Sequence, residues 1–159
     1  MNQSSKVAAL YPQIREFREP DFERLWAIDQ ACFEAALAYS RAELRFYMRL
    51  PGAFTLLAEG DGGTVGFVVA RAMRNAVGHV ITIDVLEGAR RGGTGSLLLV
   101  SAEDRLCQAS CRAVTLETAV DNMAAIAFYN RHQYSIVRTL RGYYSNGMDA
   151  LVMQKRLQK

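Results

Sequence analysis

The chain of 159 residues predicts an α/β fold, a mixed and mostly antiparallel central sheet with helices on both faces. Three observations predict it. Apolar residues recur at helical spacing in some stretches and alternate, or run together, as strands do in others. Two β-rich runs flank Glu59-Gly60-Asp61-Gly62-Gly63, whose glycines supply the positive φ of a hairpin turn. A third run, Val80 to Leu86, precedes Arg90-Arg91-Gly92-Gly93-Thr94-Gly95, which opens directly into Ser96-Leu97-Leu98-Leu99-Val100, so a glycine-rich turn joins a strand to a helix.

The elements follow in order. Residues 1–13 read as a loose leader, and Ile14-Arg15-Glu16-Phe17 alternates apolar with polar as a short first strand does. Pro20 suits the first turn of a helix whose stripe holds Phe22, Leu25, Trp26, Ile28, Asp29 and Phe33. Glu34 to Tyr39 form a loop. Ser40-Arg41-Ala42-Glu43 has capping-box spacing, which predicts a second helix to about Leu50, stopped by Pro51. Phe54–Ala58 and Val65–Ala70 pair across the hairpin. After a connection from Arg71 to Gly78, Val80–Leu86 adds a third antiparallel strand. A helix from about Gly93 to Cys107 keeps Leu98, Ala102 and Leu106 on one side. Ala113–Thr118 is β-rich, Asn122–His132 is helical in composition, and Ser135–Leu140 and Ala150–Lys155 close the sheet.

Composition narrows the class. Half of the residues are apolar and only three are proline, which suits a single domain over residues 14–159 with a proper core. The longest apolar run is far short of a membrane span, and Met1-Asn2-Gln3-Ser4-Ser5-Lys6 leads into too weak a segment for a signal peptide. No membrane partner is expected, and the expected location is the cytoplasm. Cys32, Cys107 and Cys111 are odd in number, and His79 and His132 stand at no ligand spacing to them. Buried thiols are expected, with no disulfide framework and no metal. A formal charge of +3 is too small to imply a nucleic-acid partner. The state expected in solution is monomer or homodimer.

The glycine-rich turn is an anion cradle. N–H groups at a helix N-terminus have no intrahelical partner, the macrodipole favours negative charge there, and glycines admit phosphate oxygens close to the main chain. The guest this implies is a pyrophosphate, with Arg90 and Arg91 beside it. A Walker phosphate loop starting at Gly88 would place Thr94 where the lysine belongs. A dinucleotide fingerprint would need a third glycine after Gly93-Thr94-Gly95, where Ser96-Leu97-Leu98 stand instead.

Arg90, Gly93 and Gly95 stand in the register of a motif, Gln or Arg, two residues, Gly, one residue, Gly or Ala. Further on, Leu116-Glu117, Asn122, Ala124-Ala125-Ile126-Ala127 and Phe128-Tyr129 form a second signature. Together they resemble the GCN5-related N-acetyltransferase (GNAT) family over roughly Ile14 to Leu157. Glu117 and Tyr129, with Arg141-Gly142-Tyr143-Tyr144 and Asp149-Ala150-Leu151-Val152-Met153, look most like the bacterial ribosomal-protein N-terminal alanine acetyltransferases. Three positions depart from that group: Arg91 replaces a glycine, Leu-Glu-Thr replaces Leu-Glu-Val, and His132-Gln133-Tyr134 replaces Leu-Gly-Phe.

The resemblance implies a GNAT-like acyl-CoA N-acyltransferase fold, acetyl-CoA as co-substrate and an amine acceptor. It implies Glu117 as base and Tyr129 as acid. It further implies that Ile83, Asp84 and Val85 pair with the pantetheine as an added strand and offer a donor to the thioester oxygen. Arg90, Arg91, Gly92, Gly93, Thr94, Gly95 and Ser96 would hold the pyrophosphate, and Asn122 the pantetheine or phosphate arm. The acceptor would lie between the Glu34–Tyr39 loop, with Tyr39, and a closing hairpin bearing Tyr143 and Tyr144. Taken alone, Glu117 also suits a structural carboxylate, Tyr129 a packed aromatic, Asn122 a helix N-cap, the two hairpin tyrosines a cross-strand pair, and His79 and Asp84 a solvated strand-end pair.

Amine chemistry favours an α-amino acceptor. At pH 7 about a tenth of an α-amine of pKa near 8 is neutral, against less than about a thousandth of a lysine. Three functions stay open: acetyl transfer to a protein N-terminal α-amine, transfer to a small-molecule amine such as a polyamine, amino acid or antibiotic, and non-catalytic CoA binding in a regulatory module.

Overall fold

The structure, a computed structural model, describes residues 12–158. The expected leader lies outside the described residues up to residue 11, and Gln13 already belongs to the first strand. Seven strands form one sheet: β1 (Gln13–Glu16), β2 (Ala53–Gly60), β3 (Gly63–Ala72), β4 (Val77–Val85), β5 (Ala113–Ala119), β6 (Ser135–Leu140) and β7 (Ala150–Arg156). The helices are α1 (Phe22–Cys32), α2 (Arg41–Met48), α3 (Thr94–Gln108) and α4 (Met123–Arg131). The strand order is β1-β2-β3-β4-β5-β7-β6, and every neighbouring pair is antiparallel except β4 with β5. The mixed α/β expectation therefore holds.

Local chemistry sets the element ends. Ser40 caps α2 as its spacing predicts: its side chain accepts the Glu43 N–H at 3.1 Å, and Glu43 accepts the Ser40 N–H at 2.7 Å. The helix stops at Met48, short of Leu50, because the chain winds into a turn whose Gly52 has φ +79°. α1 ends at Cys32, where Phe33 turns extended. β4 starts at Val77, earlier than expected, since Met73 N–H bonds the Val77 carbonyl at 2.9 Å across a turn with Ala76 at φ +60°. No glycine marks that turn; its one local signal is Asn75, whose Oδ1 accepts the Val77 N–H at 3.2 Å as in an Asx turn.

Each face of the sheet has its own core. Leu56, Val68, Val80, Leu98, Leu106, Leu116 and Met153 pack on the α3 side. Phe22, Leu25, Ile28, Leu44, Leu57, Phe67 and Val69 pack on the α1 and α2 side. Alternation along β2 and β3 sends successive residues to opposite cores, as a sheet covered on both faces requires.

The sheet is parted in the middle. β4 and β5 pair over three positions only, Val77 with Ala113, Gly78 with Val114 and His79 with Thr115. Immediately beyond, the β3–β4 register slips: Ala70 faces Val80 while Val69 faces Thr82, which leaves Ile81 as a bulge. A bulge bends its strand and ends regular pairing, and from there β4 and β5 diverge. Among the described residues, the remainder of β4 has β3 as its one strand neighbour. Gly66 lies opposite Val85, and a Cβ placed on it would stand 2.7 Å from the Asp84 carbonyl oxygen. Gly66→Ala is expected to destabilise the fold by about 1–3 kcal/mol through this overpacking, to be read as a lower midpoint in thermal denaturation.

Candidate active site

The cradle takes shape at the end of β4. Gly93 has φ +85° and occupies the N-cap of α3, where a side chain would be strained. Arg91 also has a positive φ, +67°. That left-handed backbone accounts for the glycine at this place in the motif that Arg91 departs from. Leu97 N–H is the first to reach a helical carbonyl, that of Gly93 at 2.9 Å, so the amides of Thr94, Gly95 and Ser96 have no partner within the helix.

A cavity of about 800 Å³ lies against this turn, bounded by Ile83, Val85, Arg90, Arg91, Gly93, Gly95, Ser96, Asn122, Phe128 and Tyr129. Gly92 and Thr94 border a separate depression on the outer side of the turn, which Arg90 also reaches. Arg90 Nε donates to the Val85 carbonyl at 2.8 Å, fastening the turn to its strand. Leu86 N–H bonds the Val65 carbonyl on β3 at 2.9 Å. Main-chain groups alternate along an antiparallel ladder, so Asp84 also faces β3, and Ile83 and Val85 face the cleft. Unpaired amides at a helix start, a roomy cavity and a free strand edge fit an elongated anionic thioester.

Asp84 is only 1% exposed, and its carboxylate accepts the Thr82 hydroxyl at 2.6 Å on the α1 side of the sheet. It forms no solvated strand-end pair with His79. His79 Nε2 instead lies 2.7 Å from Glu117 Oε2, with both side chains about four-fifths buried. The pair forms because His79 is the last β4 residue in register with β5, and Glu117 follows Thr115 by two, on the same face.

Glu117 borders a second compartment of about 170 Å³, with Phe33, Leu37, Tyr39, Ile81, Tyr129 and Tyr144 among its walls. Tyr129 and Asn122 border both compartments. Burial raises the Tyr129 phenol well above the ordinary range. Burial likewise pushes Tyr144 up to about 12. The Tyr144 ring meets Tyr143 edge-on, 5.0 Å between centroids, whereas Tyr143 itself is half exposed and outside the compartment lining. Tyr39 packs against Tyr47 at 5.1 Å. Ser145 Oγ donates to the Ala36 carbonyl at 2.8 Å and so joins the β6–β7 connection to the α1–α2 loop.

Asn122 accepts the Ala125 N–H at 3.1 Å and caps α4 while its residue lines both compartments. A further contact escaped sequence reasoning: Ser96 Oγ lies 2.9 Å from His132 Nε2 at the edge of the cradle. Burial holds His132 below its usual value, which favours the neutral ring. Ser96 and His132 lie on different helices, and neither has a spacing that announces the pair.

A sheet parted beside an anion cradle, with a second compartment across the gap, defines an acyl-CoA-dependent transferase. The chain belongs to the Acetyltransferase (GNAT) family, whose model matches residues 12–134. It is 33% identical over 144 residues to the uncharacterized N-acetyltransferase MJ1530 of Methanocaldococcus jannaschii, covering 90% of each chain. It is 38% identical over 81 residues to an N-alpha-acetyltransferase of Saccharolobus solfataricus, a match spanning 50% of this chain and 48% of that protein. Its fold is similar to Ard1 from Thermoplasma volcanium, with TM-score 0.86, 26% identity and coverage of 94% and 100%. The ribosomal-protein-S18-alanine N-acetyltransferase of Escherichia coli shares the fold at TM-score 0.81 and 21% identity, over 92% and 94% of the two chains. The protein is an acetyl-CoA-dependent N-acetyltransferase.

Gly93→Ala forces a Cβ onto a left-handed residue, at a cost of about 1–2 kcal/mol. It is expected to lower the thermal midpoint and to weaken coenzyme A binding in titration calorimetry. Gly95→Ala, whose Cβ would meet the Phe128 ring at an ordinary 3.5 Å, is expected to change both far less.

Proposed function

We propose that the chain acetylates the α-amine at a protein N-terminus, by direct transfer within a ternary complex. The observation that carries this reading is the acceptor compartment. Its described walls are apolar, tyrosine or uncharged polar residues with a single charged side chain, Glu117, and its two bordering loops meet through Ser145 and Ala36. A polyamine carries several ammonium groups and calls for several carboxylates. One carboxylate suits one amine. The S. solfataricus relative named N-alpha-acetyltransferase supports the same acceptor class.

In this reading the acceptor enters as the neutral amine, and Glu117, held by His79, takes the proton that its nitrogen loses on bonding the acyl carbon, directly or through a water. A cleft-facing N–H of Ile83 or Val85 donates to the thioester oxygen as negative charge gathers there. The amine nitrogen bonds the acyl carbon, the carbon–sulfur bond breaks, and Tyr129 donates to the leaving thiolate. No enzyme nucleophile is needed. The Thr94, Gly95 and Ser96 amides, with Arg90 and Arg91, hold the pyrophosphate, and Asn122 reaches the arm between. Tyr39 and Tyr144 flank the acceptor backbone, with Tyr143 bracing Tyr144 from outside.

The test follows thiol release with acetyl-CoA against peptides of varied first residue, the same peptides blocked at the N-terminus, and polyamines, amino acids and aminoglycosides. Turnover is expected with free N-termini and lost on blocking. Turnover confined to small amines would replace the acceptor class, and cofactor binding without thiol release for any amine would leave a regulatory module. Glu117→Gln and Tyr129→Phe are each expected to lower kcat by about 10²-fold, the lower end for general acid–base groups. Coenzyme A affinity should stay within about threefold in both; unchanged kcat would remove the residue from the chemistry.

A further inference from the structure

Two carboxyl groups lie in the core between α1 and the sheet, outside the chemistry above. Asp29 is fully buried on α1, and Asp84 is 1% exposed on β4. They are neighbours where α1 meets β4: Cys32 Sγ, one helical turn after Asp29, donates to the carbonyl of Val85, next to Asp84, at 3.4 Å. Each has one satisfied oxygen and one orphan. Asp29 Oδ2 accepts the Tyr39 N–H at 2.8 Å and Gln30 Nε2 at 3.2 Å, while its Oδ1 meets no donor among the described residues. Asp84 Oδ1 accepts the Thr82 hydroxyl at 2.6 Å, while its Oδ2 is likewise unmatched.

Two adjacent buried carboxylates cannot both stay ionised, and a buried acceptor without a donor is costly. A single proton between the two orphan oxygens removes both deficits. We propose that Asp84 is a protonated carboxylic acid whose hydroxyl donates to an ionised Asp29, and that this bond positions the Tyr39 loop over the acceptor compartment. Donor count decides the assignment: Asp29 receives a main-chain N–H and a side-chain amide, and Asp84 receives only one neutral hydroxyl. Burial raises both groups and so favours retention of the proton.

The bond has a mechanical consequence. Tyr39 is held from α1 on both sides of its backbone, its N–H on Asp29 and its carbonyl on Trp26 Nε1 at 3.1 Å and Gln30 Nε2 at 2.8 Å. Asp84 sits between Ile83 and Val85, whose main-chain groups face the cleft. One shared proton therefore links the strand offered to the thioester with the loop offered to the amine. Asp29 and Asp84 are positioning residues; neither carboxyl touches a reacting atom.

The role in catalysis rests on reading the Glu34–Tyr39 loop as the acceptor loop, and the tests keep the two apart. Asp84→Asn retains a donor of the same shape, and Asp84→Ala removes it. Asp84→Asn should leave the acceptor KM within about threefold, whereas Asp84→Ala should raise it about tenfold or more, with the acetyl-CoA KM changed less than about threefold. Tyr39 amide hydrogen exchange should speed up in Asp84→Ala and stay slow in Asp84→Asn. Infrared spectra of the wild-type protein at neutral pH should show a protonated carboxyl band that Asp84→Asn abolishes. Absence of that band overturns the shared proton without any appeal to activity, and so it decides even if Asp84→Ala fails to fold. Asp84→Asn behaving as Asp84→Ala, or both KM values rising together, overturns the positioning role. If the wild type acetylates no peptide N-terminus, the acceptor reading fails, and the infrared band and Tyr39 exchange still judge the proton.

Discussion

The parting of β4 from β5 is the constraint on which the rest of the site depends. Three paired positions hold the two strands together, and the bulge at Ile81 then turns β4 away. An ordinary parallel pair would bury every main-chain group between its strands and leave no site. Because pairing stops at His79, the β4 edge stays available, the cradle at its end is not roofed by β5, and Glu117, paired to β7 alone, borders the compartment that opens between β4 and β5. Binding and chemistry then need few special residues. They need backbone groups that the fold has left unsatisfied.

An interrupted sheet must be stabilised elsewhere. The distal half of β4 is held by β3 on one side, by close approach at Gly66, and by α1 across the Asp29 and Asp84 contact. The glycine-rich turn is fastened back to the same strand through Arg90 and the Val85 carbonyl. These ties converge on the segment from Ile83 to Val85. A strand that has lost one neighbour is still held rigidly where a thioester would have to be aligned.

What was legible in the sequence follows the range of the forces involved. The capping box of α2, the hairpin at residues 59–63 and the glycine-rich turn that opens α3 are each written in a few consecutive residues, and each appears where its spacing predicts. The helical stripe of α1 and the strand runs were legible for the same reason. The bulge at Ile81 was not, because it depends on how β3 and β4 register over their length, and Ile81 looks like any other core strand residue. The His79–Glu117, Ser96–His132 and Asp29–Asp84 contacts join residues far apart in the chain. Asp29 even fell on the apolar stripe of its helix, where an acid reads as tolerated and not as partnered. Gly92 and Thr94, which a motif groups with the cradle, also border a second depression beside the β2–β3 hairpin, which no local spacing announces.

The buried state of Tyr129 bears on how a phenol can serve a leaving thiolate. An ordinary phenol is a weaker acid than a thiol, with reference values of about 10 and 8.5. Burial raises Tyr129 further, which by itself makes transfer of its proton harder. A thiolate expelled into the same dry gap loses its own hydration, so its pKa rises for the same reason. The two shifts run in parallel. Their difference, which governs the proton's position, changes less than either value alone. A neutral donor also adds no positive charge beside the cradle, where the N-terminus of α3 and the arginines already favour an anion. A histidine in its place would have to carry a proton, and with it a charge, into a compartment whose walls are chiefly apolar. A tyrosine there keeps its hydrogen over the whole physiological range, and in the proposed role it would present it to sulfur as the carbon–sulfur bond lengthens.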